Sequence, residues 1–597
     1  MQLTAPFSGT VVATAAPGAP IAAGEPVVVL EAMKMEHELV AEAPGTLSAL
    51  HVAVGDTVET GQPVAELEAG SAEPDAPTED PAPATERRED LEAVLARHAL
   101  THDDARLEAV AKRHGTGQRT ARENLDDLLD AGTFVEYGPL VFAAQEARRP
   151  RQELVERTPA DGLVAGMGDV EGHPTVVMSY DYTVLAGTQG WRNHAKKDRL
   201  FELAHRRRLP VVLLAEGGGG RPGDVDFPIV AGLDCRAFAL FAALSGHVPT
   251  VGIAAGYCFA GNAALLGCCD VVIATENSSI GMGGPAMIEG GGLGVFHPSE
   301  VGPIDVQDAA GVVDLRVADE AQAIDAARRY LAYFRGDTAP VPPADPEALR
   351  ELIPANRKRA YDVRAVIGGL FDAGSVLELR RGFGAGTVTA LVRHQGRPLG
   401  VLANDPNHLG GAIDAAAADK AARFMTLCDA FALPVLFLCD TPGFMVGPAA
   451  ERTGTVRHFA RMFLTGASLG VPTGTVVLRK GYGLGAQAMA AGGFKQPLFT
   501  VGWPTSEFGG MGLEGAVRLG MRRELEAIED PAERERAYEA MVAMAYERGR
   551  GISMAEYGEI DDVIDPAETH RWIGMLFDQR APRWWQQPRR RPNVEPW

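Results

Sequence analysis

A chain of 597 residues with 56 Lys and Arg against 79 Asp and Glu carries a net charge of −23. That length allows several domains, and the acidic balance argues against a nucleic-acid partner, which would need a basic face. The six cysteines, Cys235, Cys258, Cys268, Cys269, Cys428 and Cys439, form no C-x-x-C pair, so no metal site is expected, and several sit in apolar runs that suit buried thiols in a reducing cytoplasm.

In chain order, the N-terminus lacks a basic stretch followed by an apolar one, so no signal peptide is expected. No apolar run approaches the length of a transmembrane helix. Residues 1–69 contain an internal repeat. APFSGTV at Ala5 pairs with APGTL at Ala43, and GEPVVVLE (24–31) pairs with GQPVAELE (61–68). Short alternating runs broken by Gly and Pro predict β-hairpins, and two such halves predict a small all-β domain with pseudo-twofold symmetry. EAMKME falls at the joint between the halves. That places Lys34 at a hairpin tip, between Met33 and Met35 and flanked by Glu31 and Glu36.

Residues 70–90 are rich in Pro, Ala and acid and predict a flexible linker. In a polyproline-like state it would reach on the order of 60 Å.

The remainder repeats over a longer distance. DYTVLAG at Asp181 faces DPNHLGG at Asp405, Lys196 faces Lys420, and LPVVLLAEGG at Leu209 faces LPVLFLCDTPG at Leu433, each 224 residues on. VPT at 248 faces VPT at 471, an offset of 223, and GYCFAGNA (256–263) faces GYGLGAQA (481–488). Each half alternates strands and helices, which predicts two α/β units with largely parallel sheets, 91–345 and 346–597. Glycines follow the strands, where ligands bind in such folds. GYCFAGN and GYGLGAQ could free backbone N–H groups for a developing oxyanion. GASLG (466–470) resembles a nucleophile elbow, but a helical pattern precedes it and a strand follows, the reverse of what an elbow needs, so Ser468 is expected to be structural. No G-K-[ST] occurs, so an ATP-dependent step belongs to another polypeptide.

The A-M-K-M core around Lys34 resembles the biotinyl (biotin carboxyl carrier) family rather than lipoyl domains, which lack the methionine pair. The resemblance implies biotin joined by an amide to Lys34 through a biotin protein ligase. Residues 91–597 resemble the carboxyltransferase (β) subunit of biotin-dependent acyl-CoA carboxylases, two tandem crotonase-like folds. The motifs that carry this are GTGQRTARENLDDLLDAGTFVE (115–136), AADKAARF (417–424), LCDTPGFMVG (438–447) and WPTSEFGGMGLEGAV (503–517). RKGYGLGAQAMA and IGMGGPAMIEGGGLG bring it nearest the actinobacterial long-chain or broad-specificity type.

The resemblance implies that the first half holds the thioester and the second half holds biotin, each with two backbone amides as an oxyanion hole. These fall on Ala260 and Gly261 and on Leu484 and Gly485. The family's Gly-Gly and Gly-Ala are not matched at Ala260 and Leu484, so Gly261–Asn262 and Gly483–Leu484 stay open as alternatives. Gly217, Gly218, Gly283, Gly284 and Gln487 are expected to line the substrate. The implied reaction moves a carboxyl group from carboxybiotin to the α-carbon of acetyl-, propionyl- or longer acyl-CoA without a side-chain base. Its implied partners are a separate ATP-dependent biotin carboxylase and five further copies of this chain in a homo-hexamer, in the cytoplasm and with no membrane contact. Alternatives are γ-carboxylation of a methylcrotonyl-type acyl-CoA, a decarboxylase or transcarboxylase component, and a non-catalytic carrier scaffold.

Overall fold

Runs of branched apolar residues broken by glycine and proline build eight strands in the first seventy residues. These are β1 (Gln2–Thr4), β2 (Gly9–Thr14), β3 (Pro20–Ile21), β4 (Pro26–Ala32), β5 (Met35–Val40), β6 (Gly45–Leu50), β7 (Thr57–Val58) and β8 (Pro63–Ala69). The computed structural model describes residues 1–70, 88–227, 232–342, 345–577 and 594–597, in two compact units, Met1–Leu91 and Glu92–Trp597. In the first unit two antiparallel four-stranded sheets run β1-β8-β6-β3 and β5-β4-β2-β7. Advancing every strand number by four, cyclically, turns one order into the other, so the sequence repeat is a structural twofold.

The symmetry reaches single atoms. Gly9 lies against the Glu31 carbonyl and Gly45 against the Glu68 carbonyl, where an added Cβ would sit 2.8 Å and 2.6 Å from oxygen. No larger residue fits either position. Between the sheets lie Val11, Val28, Leu30, Leu47, Val64 and Leu67, all buried.

The second unit contains two copies of one sheet. The first copy uses β9 (Val135–Glu136), β10 (Leu163–Val170), β11 (His173–Tyr180), β12 (Val211–Leu214), β13 (Thr250–Ala254), β14 (Tyr257–Phe259), β15 (Val271–Thr275), β16 (Ser279–Gly281) and β17 (Leu315–Val317). The other uses β18 (Leu377–Leu379), β19 (Thr387–His394), β20 (Arg397–Asn404), β21 (Val435–Thr441), β22 (Thr473–Tyr482), β23 (Phe499–Gly502), β24 (Glu507–Gly509) and β25 (Asp562–Val563). The orders β17-β15-β13-β12-β11-β10-β9 and β25-β23-β22-β21-β20-β19-β18 correspond strand for strand. In each, an antiparallel hairpin (β10–β11, β19–β20) leads into parallel strands. The parallel strands are apolar on both faces, as a sheet covered on both sides requires.

The copies pack through the helices Glu320–Ala332 and Ala415–Ala430, whose apolar faces share one core with the sheets. Phe334 meets Phe431 with ring centroids 4.7 Å apart. Buried Asp314 accepts from Arg380 at 2.8 Å and lies 3.4 Å from Arg423, which binds the two halves by charge. The repeated lysines are buried braces. Lys196 donates to the carbonyls of Ala160 and Leu163, and Lys420 to that of Phe383 at 3.0 Å.

The expected linker falls largely on residues 71–87, outside the described residues. Its last two residues need correction, because Glu89 and Asp90 open the helix Glu89–Ala99. All six cysteines are unpaired. Among the described residues no helix is long and apolar enough to cross a membrane, and no cluster of three or more His, Cys, Asp or Glu could hold a metal.

Candidate active site

The candidate site is built from two regions with special backbone geometry, the exposed tip of β4–β5 and the turns after β14 and β22.

At the tip, Met33 and Lys34 are the two loop residues of the hairpin, with φ of 53° and 66°. Both being positive marks a type I′ turn, which suits the twist of the flanking strands but is usually built from Asn and Gly. Two side chains with Cβ atoms carry it here, at a cost in backbone strain. The result is a lysine held outward by a rigid ladder, in which Ala32 faces Met35 and Glu31 faces Glu36. Met33 is 98% exposed. The fit to a covalent prosthetic group is good, because the amine is accessible and nothing on the hairpin must move to reach it.

In the second unit, β12 leads through Ala215 into Glu216 and the glycine loop 217–220. Buried Glu216 accepts from Arg113 at 2.5 Å and 2.8 Å, and Gln118 donates to the Ala255 carbonyl at 2.6 Å. Arg113, just before the motif 115–136, and Gln118 within it thus brace the floor of the loop. Burial pushes the Glu216 carboxyl up and Arg113 pulls it back. Gly217 donates to Tyr257, Phe259 to Gly217, and Gly218 to Ala186. Asn262 completes the tie: its Nδ2 donates to the carbonyls of Gly187 and Glu216, and its Oδ1 accepts from Gly219. Glycine is required at Gly187 and Gly217, where a Cβ would lie 2.4 Å and 2.1 Å from a carbonyl oxygen. In the second half Asp440 takes the place of Glu216 and pairs with Tyr361, Arg479 and Lys480.

The turns themselves correct the expected register. The ladder β14–β16 ends with Phe259 beside Gly281, and β22–β24 ends with Tyr482 beside Gly509. Each is followed by a residue of positive φ, Ala260 at 51° and Gly483 at 57°, and then a short helix. Ala260 therefore corresponds to Gly483, Gly261 to Leu484 and Asn262 to Gly485, an offset of 223. The shared Gly-Tyr of GYCFAGNA and GYGLGAQA is a coincidence of spelling, two residues out of step.

Ala260 is corrected as a donor, because its N–H is spent on the Gly281 carbonyl at 3.0 Å. The N–H groups of Gly261 and Asn262, and of Leu484 and Gly485, meet no acceptor among the described residues. Those two pairs are equivalent positions. Leu484 is 62% exposed. Gly485 stands where the first half has Asn262, and a Cβ there would lie 2.7 Å from Gly443 Cα. One half ties its loop with a side chain and the other by direct backbone approach.

Gly284 lies against the Phe259 ring, with Gly283 beside it, on the rim of the first turn. Gly218 is exposed and Gly217 buried. Gln487 is exposed near the end of the second helix, where its carbonyl accepts from Gly492. Sequence reasoning missed Gln189, whose carboxamide packs under Gly261, and Lys197, which bonds to it. A comparison of the halves residue by residue would have shown both. Burial lowers Lys197 from the usual lysine range to about 7.

Fold and site define a class: a duplicated crotonase-like transferase with a biotinyl-type carrier domain attached. Residues 112–592 match the carboxyl transferase domain, and residues 1–67 match the biotin-requiring enzyme domain. The chain belongs to the carboxyl transferase family. The 12S subunit of methylmalonyl-CoA carboxyltransferase from Propionibacterium freudenreichii subsp. shermanii is 32% identical over 505 residues, covering 79% of this chain and 90% of the relative. A crystal structure of a transcarboxylase 12S hexamer, with methylmalonyl-coenzyme A and methylmalonic acid bound, is 30% identical with a TM-score of 0.74, over 85% of this chain and 98% of that one. A single-chain, multi-domain long-chain acyl-CoA carboxylase is 54% identical with a TM-score of 0.79, over 97% of this chain. This chain spans 56% of that protein's length.

Proposed function

We propose that this chain carries biotin on Lys34 and catalyses carboxyl transfer to the α-carbon of an acyl-CoA. The observation that carries the proposal is the pair of equivalent turns, each offering two unengaged N–H groups, in a chain whose carrier lysine stands on a strained, outward hairpin tip. Biotin bound at Lys34 supplies the transferable carboxyl group.

The chain's own residues hold and orient. Gly261 and Asn262 present N–H groups to the thioester oxygen, where negative charge grows as the α-carbon becomes nucleophilic. Leu484 and Gly485 would hold the carbonyl oxygen of the biotin ring. Gly218, Gly283 and Gly284 keep the rim of the first turn free of side chains, so a thioester can approach the backbone. The acids around the first turn serve the scaffold, since Glu216 is engaged by Arg113 and Asp161 by Arg221. Holding two reactants side by side supplies the proximity part of the rate enhancement.

Long-chain substrates fit the 54% identity to the long-chain carboxylase, and a six-subunit ring fits the 12S relative. Exposed Met282, Leu293, Val295, Val446 and Val456 give such an assembly apolar surface to cover. Residues 1–597 hold no G-K-[ST] loop and are taken up by the carrier and the two transferase halves, so biotin carboxylation and ligation are assigned to other domains or chains, in the cytoplasm. A transcarboxylase role is a second reading, favoured by the 12S relative.

The test supplies biotinylated protein with a biotin carboxylase, ATP and labelled bicarbonate, against acetyl-, propionyl- and palmitoyl-CoA. Label reaching an acyl-CoA only when Lys34 is present supports the proposal. Label that stops on the protein, across the panel, contradicts it. Label passing from methylmalonyl-CoA, by way of biotin on Lys34 and without ATP, to an acceptor that is not a CoA ester selects the second reading.

A further inference from the structure

The two halves share a backbone but differ in one buried cluster. Gln189 N–H donates to the Gly219 carbonyl and its carbonyl accepts from Arg221; 224 residues on, Ile413 N–H donates to Gly443 and its carbonyl accepts from Met445. Gln189 bridges to Gly220 as Ile413 does to Phe444, so the positions are equivalent. By the same offset, Lys197 in the helix Trp191–Arg207 corresponds to Ala421 in the helix Ala415–Ala430. Where the second half buries Ile413 and Ala421, the first buries a carboxamide and an ammonium.

The fold does not need the polar version, as the second half shows. Nor does the first half satisfy it. Lys197 Nζ donates to Tyr180 Oη at 2.8 Å and to Gln189 Oε1 at 3.0 Å. When Lys197 is protonated that second bond fixes the carboxamide, because an ammonium can only donate and so selects the oxygen. It leaves Nε2 pointing elsewhere. Gln189 is 3% exposed and its Nε2 meets no acceptor among the described residues. A buried donor without a partner is costly, and such groups in native folds call for an explanation. A methyl group on Gly261 would lie 3.2 Å from Oε1 and 3.3 Å from Nε2, so the whole carboxamide, with its unpaired NH2, lies flat against the turn whose own N–H is free. Gln189 also lines a cavity of about 990 Å³ with Gly220, Arg221, His194 and Cys235.

We propose that Gln189 is a side-chain donor of the first-half site, its Nε2 taking the carbonyl oxygen of a bound acyl thioester together with the backbone N–H of Gly261, and that Lys197 is the positioning residue that aims it. A carboxamide polarised by a buried cation suits an oxygen that gains negative charge. The second half, built for a different ligand, has no counterpart. This assignment rests on the acyl-CoA reading of the first half given above.

The test measures binding by calorimetry to the full-length chain. The probes are acetyl-, octanoyl- and palmitoyl-CoA, each beside the S-alkyl-CoA thioether in which CH2 replaces the carbonyl. The variants are Gln189→Met, Gln189→Glu and Lys197→Met. Ile413 shows that an aliphatic chain packs at this position, and Gln189→Glu keeps the shape with a partner for Lys197. The wild type is expected to prefer thioester to thioether. Gln189→Met should lose on the order of tenfold in thioester affinity and nothing for the thioether, the effect of one hydrogen bond to a buried donor. Gln189→Glu should lose at least as much, and Lys197→Met should move the same way. A wild type that prefers the thioester, with variants that prefer it equally, overturns this proposal alone. A wild type that binds none of the probes overturns the acyl-CoA reading and this proposal with it.

Discussion

Lys34 and Lys420 show the two opposite uses the molecule makes of lysine. Lys34 stands in water on a strained turn, and its position was legible because the repeat in residues 1–69 put AMKM at the joint of two equal halves. Lys34→Arg keeps the charge and removes the primary amine, so a biotin ligase should leave it unmodified by intact mass while its circular dichroism matches the wild type. A biotin adduct on the arginine variant would mean another residue is the acceptor. Lys420 is buried, and desolvation lowers it to about 7 from the usual 10.5. Between those values the unfolded chain binds a proton that the folded chain does not, so stability contributed by this group rises with pH across that window. Lys420→Met should therefore show a smaller rise in urea midpoint than the wild type between about pH 7 and about pH 9.5. An equally steep rise in the variant would contradict the burial argument. This second role was not legible: the repeat marked Lys196 and Lys420 as equivalent, but only packing shows that they brace carbonyls.

At the scale of elements, the repeated sheets were legible from offsets of 223 and 224, because β10, β11 and β12 begin 224 residues before β19, β20 and β21, and β13 begins 223 before β22. The register of the turns was not. Matching letters aligned Gly256-Tyr257 with Gly481-Tyr482, whereas the ladders and the positive φ of Ala260 and Gly483 align Phe259 with Tyr482. Hydrogen-bond register and backbone handedness leave no mark in a short glycine-rich string, so the family pattern laid along the sequence lands one residue early, on Ala260. The two turns should fail differently. Asn262→Ala leaves the Gly187 and Glu216 carbonyls and the Gly219 N–H short of a buried partner and should cost on the order of 2–3 kcal/mol in chemical unfolding. Gly485→Ala forces a Cβ to 2.7 Å from Gly443 Cα and should destabilise the second turn by a similar amount with no hydrogen bond lost. If Asn262→Ala unfolds at the wild-type midpoint, the Asn262 tie is not what holds the loop.

At the scale of the whole molecule, duplication explains the division of labour. Two copies of one sheet share a core through Phe334 and Phe431, and each ends in a turn with two free amides. Drift between the copies then placed a polar cluster under one turn, Gln189 with Lys197, and aliphatic packing under the other. A lysine on a separate compact unit completes the account. The most direct test runs the transfer backwards, which isolates the transferase from any ATP-dependent partner. Purified protein is mixed with malonyl-, methylmalonyl-, longer α-carboxyacyl- and methylglutaconyl-CoA plus free biotin, with Lys34→Ala in parallel, and release of decarboxylated CoA ester is followed. The account predicts turnover of at least one α-carboxyacyl-CoA that depends on free biotin and survives in Lys34→Ala. No biotin-dependent turnover across the panel, from folded protein, would contradict it.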